Sequence, residues 1–340
     1  MQSLVGEALA DEPSKGHLEE SKRHAGSNNG RNQMANKDIL VVGTDATFLT
    51  ESRHQKALQH MTPELSQKLN SAVERMPAFP KSVQRILELT RDVNCSPKDL
   101  VQVIDKDPVV TVKILKVVNS AYYSLPKQIT SINHAVVYMG FNSVKNLALS
   151  IAAIGMLPRE SVPGFDVQQY LVHSLATAGI ARQLAQRVEG ADPGDCFIVG
   201  LLHDFGKVVF AQFMPAEFRV ALELCRRDGS SLHLALRQTI GVDHAVVGAM
   251  LVEKWRFATP LIETIRHQYG ADVKDTPMIA CVFAANQISK KLEFGSGGNP
   301  LVEELPAALA QRLGGTLDEV VVSLGDLGKQ FEEAQAFAHA

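Results

Sequence analysis

The sequence predicts an all-α protein made of two helical lobes that follow a disordered N-terminal tail. Three observations favour this fold class. From Pro63 onward, apolar residues recur at the spacing of amphipathic helices. Several of these segments begin with Ser or Asp followed by Pro, a common start of a helix. The first 36 residues, in contrast, lack aromatic residues and are dense in polar residues and glycine.

Composition narrows the class of protein. The chain has 340 residues, 45% hydrophobic and 21% charged, with a formal net charge of −3. A slightly negative net charge gives no overall positive potential that would attract nucleic acid. The four scattered cysteines form no CxxC pair, which is typical of packing residues in a reducing compartment. The N-terminus does not read as a secretion leader, and apolar stretches such as LALSIAAIGML are shorter than a bilayer span. We therefore expect a cytoplasmic protein that binds no nucleic acid and inserts into no membrane.

The two ends of the chain differ from its middle. Residues 1–36 are predicted to be a disordered tail because they cannot bury enough apolar surface to order themselves. Residues 37–70 are predicted to be a linker, in which the branched residues of Asp38–Ala46 indicate a short strand. Near the C-terminus, Gly295–Pro300 (GSGGNP) is predicted to be a flexible connector, and residues 300–337 a helical tail.

The first lobe is expected over residues 71–160. Ser96 and Asp107 are predicted N-caps of two helices, each followed by Pro. The segment from Ser131 to Leu157 indicates two helices that meet at Gly140, with Asn142 or Ser143 as the cap of the second. The second of the Pro-initiated helices has a predicted buried face, formed by Val110, Ile114, Val117, Val118 and Ala121.

The second lobe is expected over residues 165–291 and contains the stretch VGLLHDFGKVVF, residues 199–210. An ionised Asp204 in this apolar setting is costly unless a metal, a cation or several hydrogen bonds compensate it. His203 and Asp204 diverge by about 100° on a straight helix, yet both can reach one ion in a groove between helices. Lys207, three residues after Asp204, lies on the same side and could meet a phosphate. The pentapeptide HDFGK (residues 203–207) leaves two interpretations open, a metal site and a buried Asp204–Lys207 pair.

The order of these motifs resembles a known family. HDFGK, with His173 in a preceding helix, resembles the HD superfamily of metal-dependent phosphohydrolases, and more closely its regulatory branch, the HDOD domain. The resemblance covers residues 71–291 and includes MPAFP (Met76–Pro80), the segment Asp107–Leu149, GVDHAVVGAMLVEKW and TPLIETIRHQYG. It implies a two-lobed all-α fold with an HD-like second lobe, a regulatory role in bacterial signalling and no settled enzymatic activity.

The resemblance also implies a set of metal ligands. Asn286 occupies the position where catalytic HD proteins have a final Asp ligand, and Asn binds a cation more weakly than a carboxylate does. Gln268 stands where the cyclic-dinucleotide phosphodiesterase branch, HD-GYP, has a paired histidine, and no GYP loop follows. Imidazole and carboxylate together suit Fe, Mn, Zn or Ni, and Mg if oxygen ligands dominate. The implied ligands, in a site that has lost one carboxylate, are His173, His203, Asp204, His244 and His267.

Two functional hypotheses follow. The first is a non-catalytic interaction or output module that binds other signalling proteins through its lobes and senses a nucleotide or another phosphorylated ligand. The second is a metal-dependent phosphohydrolase acting on a nucleotide or cyclic dinucleotide, in which Lys207 neutralises phosphate charge. Asn286 and the missing GYP loop disfavour the second hypothesis. No motif surrounds His233, which is interpreted as a surface or packing histidine, and Trp255 is interpreted as a core residue.

Overall fold

A computed structural model of the chain describes residues 62–89, 95–120, 125–158, 160–270 and 273–338. This part of the chain forms seventeen α-helices and no β-strand, so the predicted all-α class is confirmed. The predicted tail and the predicted strand Asp38–Ala46 lie outside the described residues, as does Ala121 of the predicted buried face. The first helix begins at Pro63 and therefore includes the end of the segment interpreted as a linker.

Six helices build the first lobe. The Ser96 and Asp107 side chains accept backbone hydrogen bonds from Asp99 and Val110, as the sequence predicted. The predicted cap at Asn142 or Ser143 is wrong, because only Gly140 separates the last two helices and both polar residues fall in the first turn of the second one. The helices are α1 (Pro63–Arg75), α2 (Lys81–Leu89), α3 (Pro97–Asp105), α4 (Pro108–Val118), α5 (Ile132–Met139) and α6 (Phe141–Ile154).

Eleven further helices follow. The longest, α7, is central to the second lobe, because α8, α14 and α17 all pack against it. His173, Thr177, Ile180 and Leu184, which are spaced to share one face of this helix, are all buried. The helices are α7 (Val167–Ala185), α8 (Pro193–Leu202), α9 (Phe205–Phe213), α10 (Pro215–Asp228), α11 (Leu232–Thr239), α12 (His244–Lys254), α13 (Thr259–Arg266), α14 (Pro277–Lys291), α15 (Ala307–Leu313), α16 (Leu317–Leu324) and α17 (Gly328–Ala338).

The C-terminal helices belong to the packed body of the second lobe. Phe331 of α17 stacks on Phe294 with ring centroids 4.7 Å apart, and Ala334 and Phe337 are buried. The side chain of Arg187, just after α7, donates to the Ser323 carbonyl oxygen at 2.6 Å. The residues predicted as a tail therefore cover one face of α7 and bury apolar surface there.

The two lobes meet at the end of α12. The Lys254 ammonium donates to three carbonyl oxygens at the end of α1, those of Val73, Glu74 and Met76. Trp255 is buried, and its indole nitrogen donates to the Pro77 carbonyl oxygen at 3.0 Å. Its ring also packs edge-on against Phe79 at 4.6 Å. The turn Met76–Pro80 is thus fastened to the second lobe, and Trp255 is a core residue, as predicted.

Candidate functional site

The chain turns sharply at the HD dipeptide. The apolar segment Pro193–Phe213 is long enough to span a membrane by length and composition, but 83% of its most apolar window is buried within the fold. It is also not one helix, because α8 ends at Leu202 and α9 begins at Phe205. The straight-helix geometry assumed from the sequence is therefore wrong. Instead, the turn formed by His203 and Asp204 directs both side chains toward the same buried site.

Gly206 brings a third element to this site. A Cβ atom at Gly206 would lie 1.9 Å from the carbonyl oxygen of His244. Because that oxygen belongs to the backbone, no change of side-chain rotamer could remove the clash. The start of α12 therefore packs directly on the start of α9, and His244 reaches Asp204. Gly206 therefore permits the close approach of these two helices.

Asp204 has no exposed surface and has two partners on each carboxylate oxygen. Lys207 Nζ lies 2.5 Å from Oδ2, and His203 Nε2 lies 3.3 Å from the same atom. Tyr269 donates its hydroxyl to Oδ1 at 2.9 Å, and His244 Nε2 lies 3.0 Å from Oδ1. A buried carboxylate needs this degree of compensation, and the ammonium of Lys207 also neutralises its charge.

Burial alone would raise the pKa of Asp204. The electrostatic interactions with His203 and Lys207, and the contacts with His203 and His244, outweigh burial and hold that pKa well below its usual range. Asp204 is therefore ionised at neutral pH. The fully buried carboxylate is stable as an anion because its neighbours supply the charge and the hydrogen bonds that water would otherwise supply.

The surrounding histidines are held in forms that suit ligand binding. His203 Nδ1 lies 2.7 Å from the Gly200 carbonyl oxygen and must carry the proton there, because a carbonyl oxygen can only accept. Its other ring nitrogen, Nε2, lies 3.3 Å from Asp204 Oδ2. Burial lowers the pKa of His173 to about 3 and that of His244 to about 4, so both are neutral imidazoles at pH 7.

His173, His203 and Asp204 could hold a metal ion. Their ligand atoms all lie within 4.8 Å of one another, and the three residues are buried. Neither ring nitrogen of His173 has a hydrogen-bond partner among the described residues. Two imidazoles and a carboxylate form a donor set that fits a divalent ion, although Lys207 competes for the same oxygen of Asp204. An ion bound there would polarise a phosphate oxygen.

Asn286 does not join this donor set. Its amide nitrogen donates to the Tyr269 hydroxyl oxygen at 2.7 Å, and that hydroxyl donates in turn to Asp204. An ionised Asp at position 286 could not donate this hydrogen bond. Gln268 also points elsewhere, since its amide donates to the carbonyl oxygens of His203 and Ile265. Both residues thus orient groups around Asp204 and are not placed as ligands.

His267 lies outside the cluster. Its Nε2 is 3.3 Å from a carboxylate oxygen of Glu263, which lies four residues earlier on α13, and its side chain is 26% exposed. The expectation that His267 extends the metal site is therefore wrong in this geometry. Because α13 ends at Arg266, the chain leaves the helix here and turns Gln268 and Tyr269 inward instead.

The glycine-rich segment predicted to be a flexible connector covers the site. We call residues 295–303 the strap. The Gly297 carbonyl oxygen accepts from Lys207 Nζ at 2.9 Å. A Cβ at Gly297 would lie 3.1 to 3.3 Å from Lys207 Nζ, Asp204 Oδ2 and His173 Cδ2, so the strap backbone rests on the metal-capable cluster. The prediction failed because a glycine-rich composition is also what a backbone needs for close approach to its neighbours.

A small polar void remains between the strap and the cluster. Its volume is about 10 Å³, and its lining includes three groups that the sequence analysis did not assign to the site, His233, Tyr269 and Lys290. His233 is buried and stacks on the Tyr269 ring at 5.5 Å, so it is a packing histidine beside the site. No local motif marks these residues, because they approach Asp204 only through the packing of α11, α13 and α14.

The comparisons with known proteins agree on the fold. The chain is 27% identical over 276 residues to an uncharacterised protein of Treponema pallidum, covering 79% of the chain but about half the length of that relative. An HDOD domain protein of unknown function from Geobacter sulfurreducens matches with a TM-score of 0.68 and 23% identity, over 85% of this chain and 98% of the other. A candidate phosphohydrolase of Shewanella amazonensis matches with a TM-score of 0.62 and 24% identity, over 80% and 98%. At these identities the two structures show the fold alone.

The family assignment rests on the match to a family model. The model for the HDOD domain matches residues 76–271, which is more than half of the chain. The matched region includes MPAFP, the HD dipeptide and the HQYG segment that contributes Tyr269. It ends before α14 and the strap. This protein belongs to the HDOD domain family.

Proposed function

We propose that the protein is a non-catalytic HDOD module of bacterial cytoplasmic signalling, which acts by binding other signalling proteins and a phosphorylated ligand. One observation carries this proposal. Each oxygen of Asp204 is engaged by side chains of the same chain, and Lys207 already neutralises its charge. A carboxylate in this state is a structural centre that a ligand could perturb, and not a free base or an open metal ligand.

The exposed apolar surface of the first lobe supports protein binding. Val109 and Val112 on α4 are 65% and 64% exposed, and Val137 and Tyr138 on α5 are 76% and 56% exposed. Apolar side chains concentrated on neighbouring helices are typical of surfaces that bind other proteins. Other signalling proteins are therefore proposed to bind through this lobe, and binding of nucleic acid or insertion into a membrane is not expected.

A metal ion has a place in this proposal as a regulator of the site. His173, His203 and Asp204 are the residues proposed to bind Fe, Mn, Zn, Ni or Mg. Binding requires Lys207 to leave Asp204 Oδ2, so occupancy would couple to the position of that side chain and of the strap. The proposed phosphorylated ligand would use the released ammonium of Lys207.

The second candidate is a metal-dependent phosphohydrolase. The three-residue donor set and the nearby lysine favour it, since they supply a metal position and a phosphate contact. The hydrogen bond from Asn286 to Tyr269 argues against it, because the last expected carboxylate is replaced by an amide that serves another partner. The covering Gly297 also leaves no room for a substrate phosphate in this geometry.

Elemental analysis and a phosphodiesterase screen separate the two functions. Both are applied to the natural chain, purified without chelator, and to the His203→Ala, Asp204→Ala double variant. We expect no turnover of mononucleotides or cyclic dinucleotides by either protein. Metal-dependent turnover by the natural chain that disappears in the double variant would overturn the non-catalytic proposal. His267→Ala is the matched control, because this histidine lies outside the cluster.

A further inference from the structure

The strap separates two very different spaces. Its inner side rests on the void of about 10 Å³ beside Asp204, which has room for no more than a single water molecule. On its other side is a cavity of about 460 Å³, bordered by Gly298, Asn299 and the three residues that follow. A segment with open space on one side and a polar site on the other can move without disrupting a packed core.

The strap is fastened chiefly by polar contacts. Its first residues are tied to α7 by the hydrogen bond from the Ser296 backbone N–H to the Gln169 carbonyl oxygen at 3.0 Å. Further along, Lys207 donates to Gly297, and Lys290 donates to the Leu301 carbonyl oxygen at 3.2 Å. The Glu303 backbone N–H donates to the Gln287 side chain at 2.9 Å. A ligand that offered acceptors to the two lysines could replace strap contacts one for one.

The strap also places a negative charge in a positively charged pocket. Glu303 lines the void together with Lys207, Lys290 and His233, and one of its carboxylate oxygens lies 3.9 Å from His233 Nδ1. With the strap in place, the two ammonium groups are balanced by the carboxylates of Asp204 and Glu303. Without Glu303, one positive charge is left uncompensated. Burial and the nearby Lys207 lower the pKa of Lys290 to about 8, as expected where two ammonium groups share one enclosed space.

We propose that the strap is an internal ligand: Glu303 fills an anion-binding pocket formed by Lys207, Lys290 and His233, and that pocket receives a phosphate or pyrophosphate group of a small ligand when the strap lifts. This inference rests on the proposed non-catalytic function and names the regulation of the same site. The incoming anion takes the lysine contacts now made by Gly297 and Leu301, and it takes the place of the Glu303 carboxylate. Ligand binding therefore displaces the strap and uncovers the site around Asp204.

Two substitutions lift the strap by different means. Glu303→Gln removes the competing charge and keeps the shape of the side chain. Gly295→Ala displaces the backbone, because its Cβ would lie 2.3 Å from the Gln169 carbonyl oxygen and 2.5 Å from the His173 nitrogen. Glu304→Gln is the matched control for charge at the neighbouring exposed residue. Gly314→Ala is the matched control for a glycine with positive φ and open space around it.

The test is titration calorimetry of the full chain with inorganic phosphate and with pyrophosphate, without added metal. We expect Glu303→Gln and Gly295→Ala to bind pyrophosphate at least tenfold more tightly than the natural chain, with both control variants unchanged. Adding Lys290→Met to Glu303→Gln is expected to abolish the gain. Equal affinities in all variants, or binding by none of them, would overturn the proposal.

Hydrogen exchange supplies a second readout. Pyrophosphate is expected to accelerate exchange of the backbone N–H groups in residues 295–303 and to leave those of α16 unchanged; tight binding with no change in the strap would contradict lifting. The outcomes stay separate from those of the proposed function. Unchanged affinities would contradict the strap proposal but not the non-catalytic function. Phosphodiesterase turnover would contradict the non-catalytic function, independently of any movement of the strap.

Discussion

The two lobes differ in which side chains they bury and which they expose. In the described part of the chain, every buried histidine and every buried carboxylate belongs to the second lobe, where His173, His203, Asp204 and His244 meet. The first lobe instead groups four exposed large apolar side chains on the neighbouring helices α4 and α5, whereas those of the second lobe are distributed over α10, α11, α16 and the strap. Buried charges seldom improve stability over an apolar core, and exposed apolar groups add nothing to it. The contrast is consistent with the proposal that the second lobe binds a small ligand and the first lobe binds a protein.

The largest expected effect concerns the buried ion pair. Lys207→Met leaves the carboxylate of Asp204 buried without its cation, so we expect the free energy of unfolding to fall by about 3–5 kcal/mol. The measurement is equilibrium unfolding in urea at pH 7. The double variant Asp204→Asn, Lys207→Met is expected to recover much of the loss, because no unpaired charge remains.

A surface ion pair provides the control for this prediction. Lys68 of the first lobe pairs with Glu217, and their side chains are 50% and 37% exposed. Lys68→Met is expected to change the free energy of unfolding by no more than about 1 kcal/mol, because water solvates the carboxylate that remains. Because Glu217 lies on α10 of the second lobe, equal losses for the two lysine variants would show that burial of the carboxylate does not set the cost of removing its cation.

Acid is expected to weaken the second lobe next. The folded pKa values of about 3 for His173 and about 4 for His244 lie below the ordinary 6.5, so the unfolded chain takes up protons first as pH falls. Stability is therefore complete above pH 6.5 and is lost as pH falls from 6.5 toward 4. For His244 alone the loss at pH 4 is on the order of 3 kcal/mol.

Urea unfolding across this pH range, with a chelator present, measures the loss. His173→Leu is expected to lose less stability than the natural chain between pH 6.5 and 4, because one titrating histidine is gone. His134→Leu replaces an exposed histidine of the first lobe and controls for the loss of an imidazole. The same pH dependence in the His173 variant and the natural chain would contradict the assignment of His173 as a buried neutral group.

The smallest effect is expected on the exposed face of the first lobe. Val112→Ser changes a side chain that is 64% exposed, so we expect the free energy of unfolding to stay within about 0.5 kcal/mol of the natural value. Val110→Ser on the same helix changes a buried residue and is expected to cost several times more. If urea unfolding gives the same loss of free energy of unfolding for both variants, the exposed face of α4 is not open to solvent.

The local features of the fold could be predicted from the sequence. The caps at Ser96 and Asp107 and the buried residues Val110 and Ile114 depend on neighbours within one or two turns. The contact between Asp204 and Lys207 could also be predicted, because the two residues are three positions apart and face the same side of the chain. It was one of two open interpretations, and the sequence alone could not decide between them.

The rest of the site depends on contacts between distant parts of the chain. Tyr269 reaches Asp204 across 65 residues, and Gly297 reaches Lys207 across 90. Helical periodicity carries no information about which helices will pack together. The family resemblance implied that His267 belongs to the site, but the end of α13 at Arg266 decides which residues of HQYG turn inward.

The strap extends the folding unit beyond the region that matches the HDOD family model. The HDOD family model stops at residue 271, yet the segment that covers Asp204 and the helix that covers α7 both come later. A fragment trimmed to the family boundaries would expose one apolar face of α7 to water and would leave an ionised Asp204 beside an open cleft. The segment of chain that sequence similarity defines is thus shorter than the segment that must fold together.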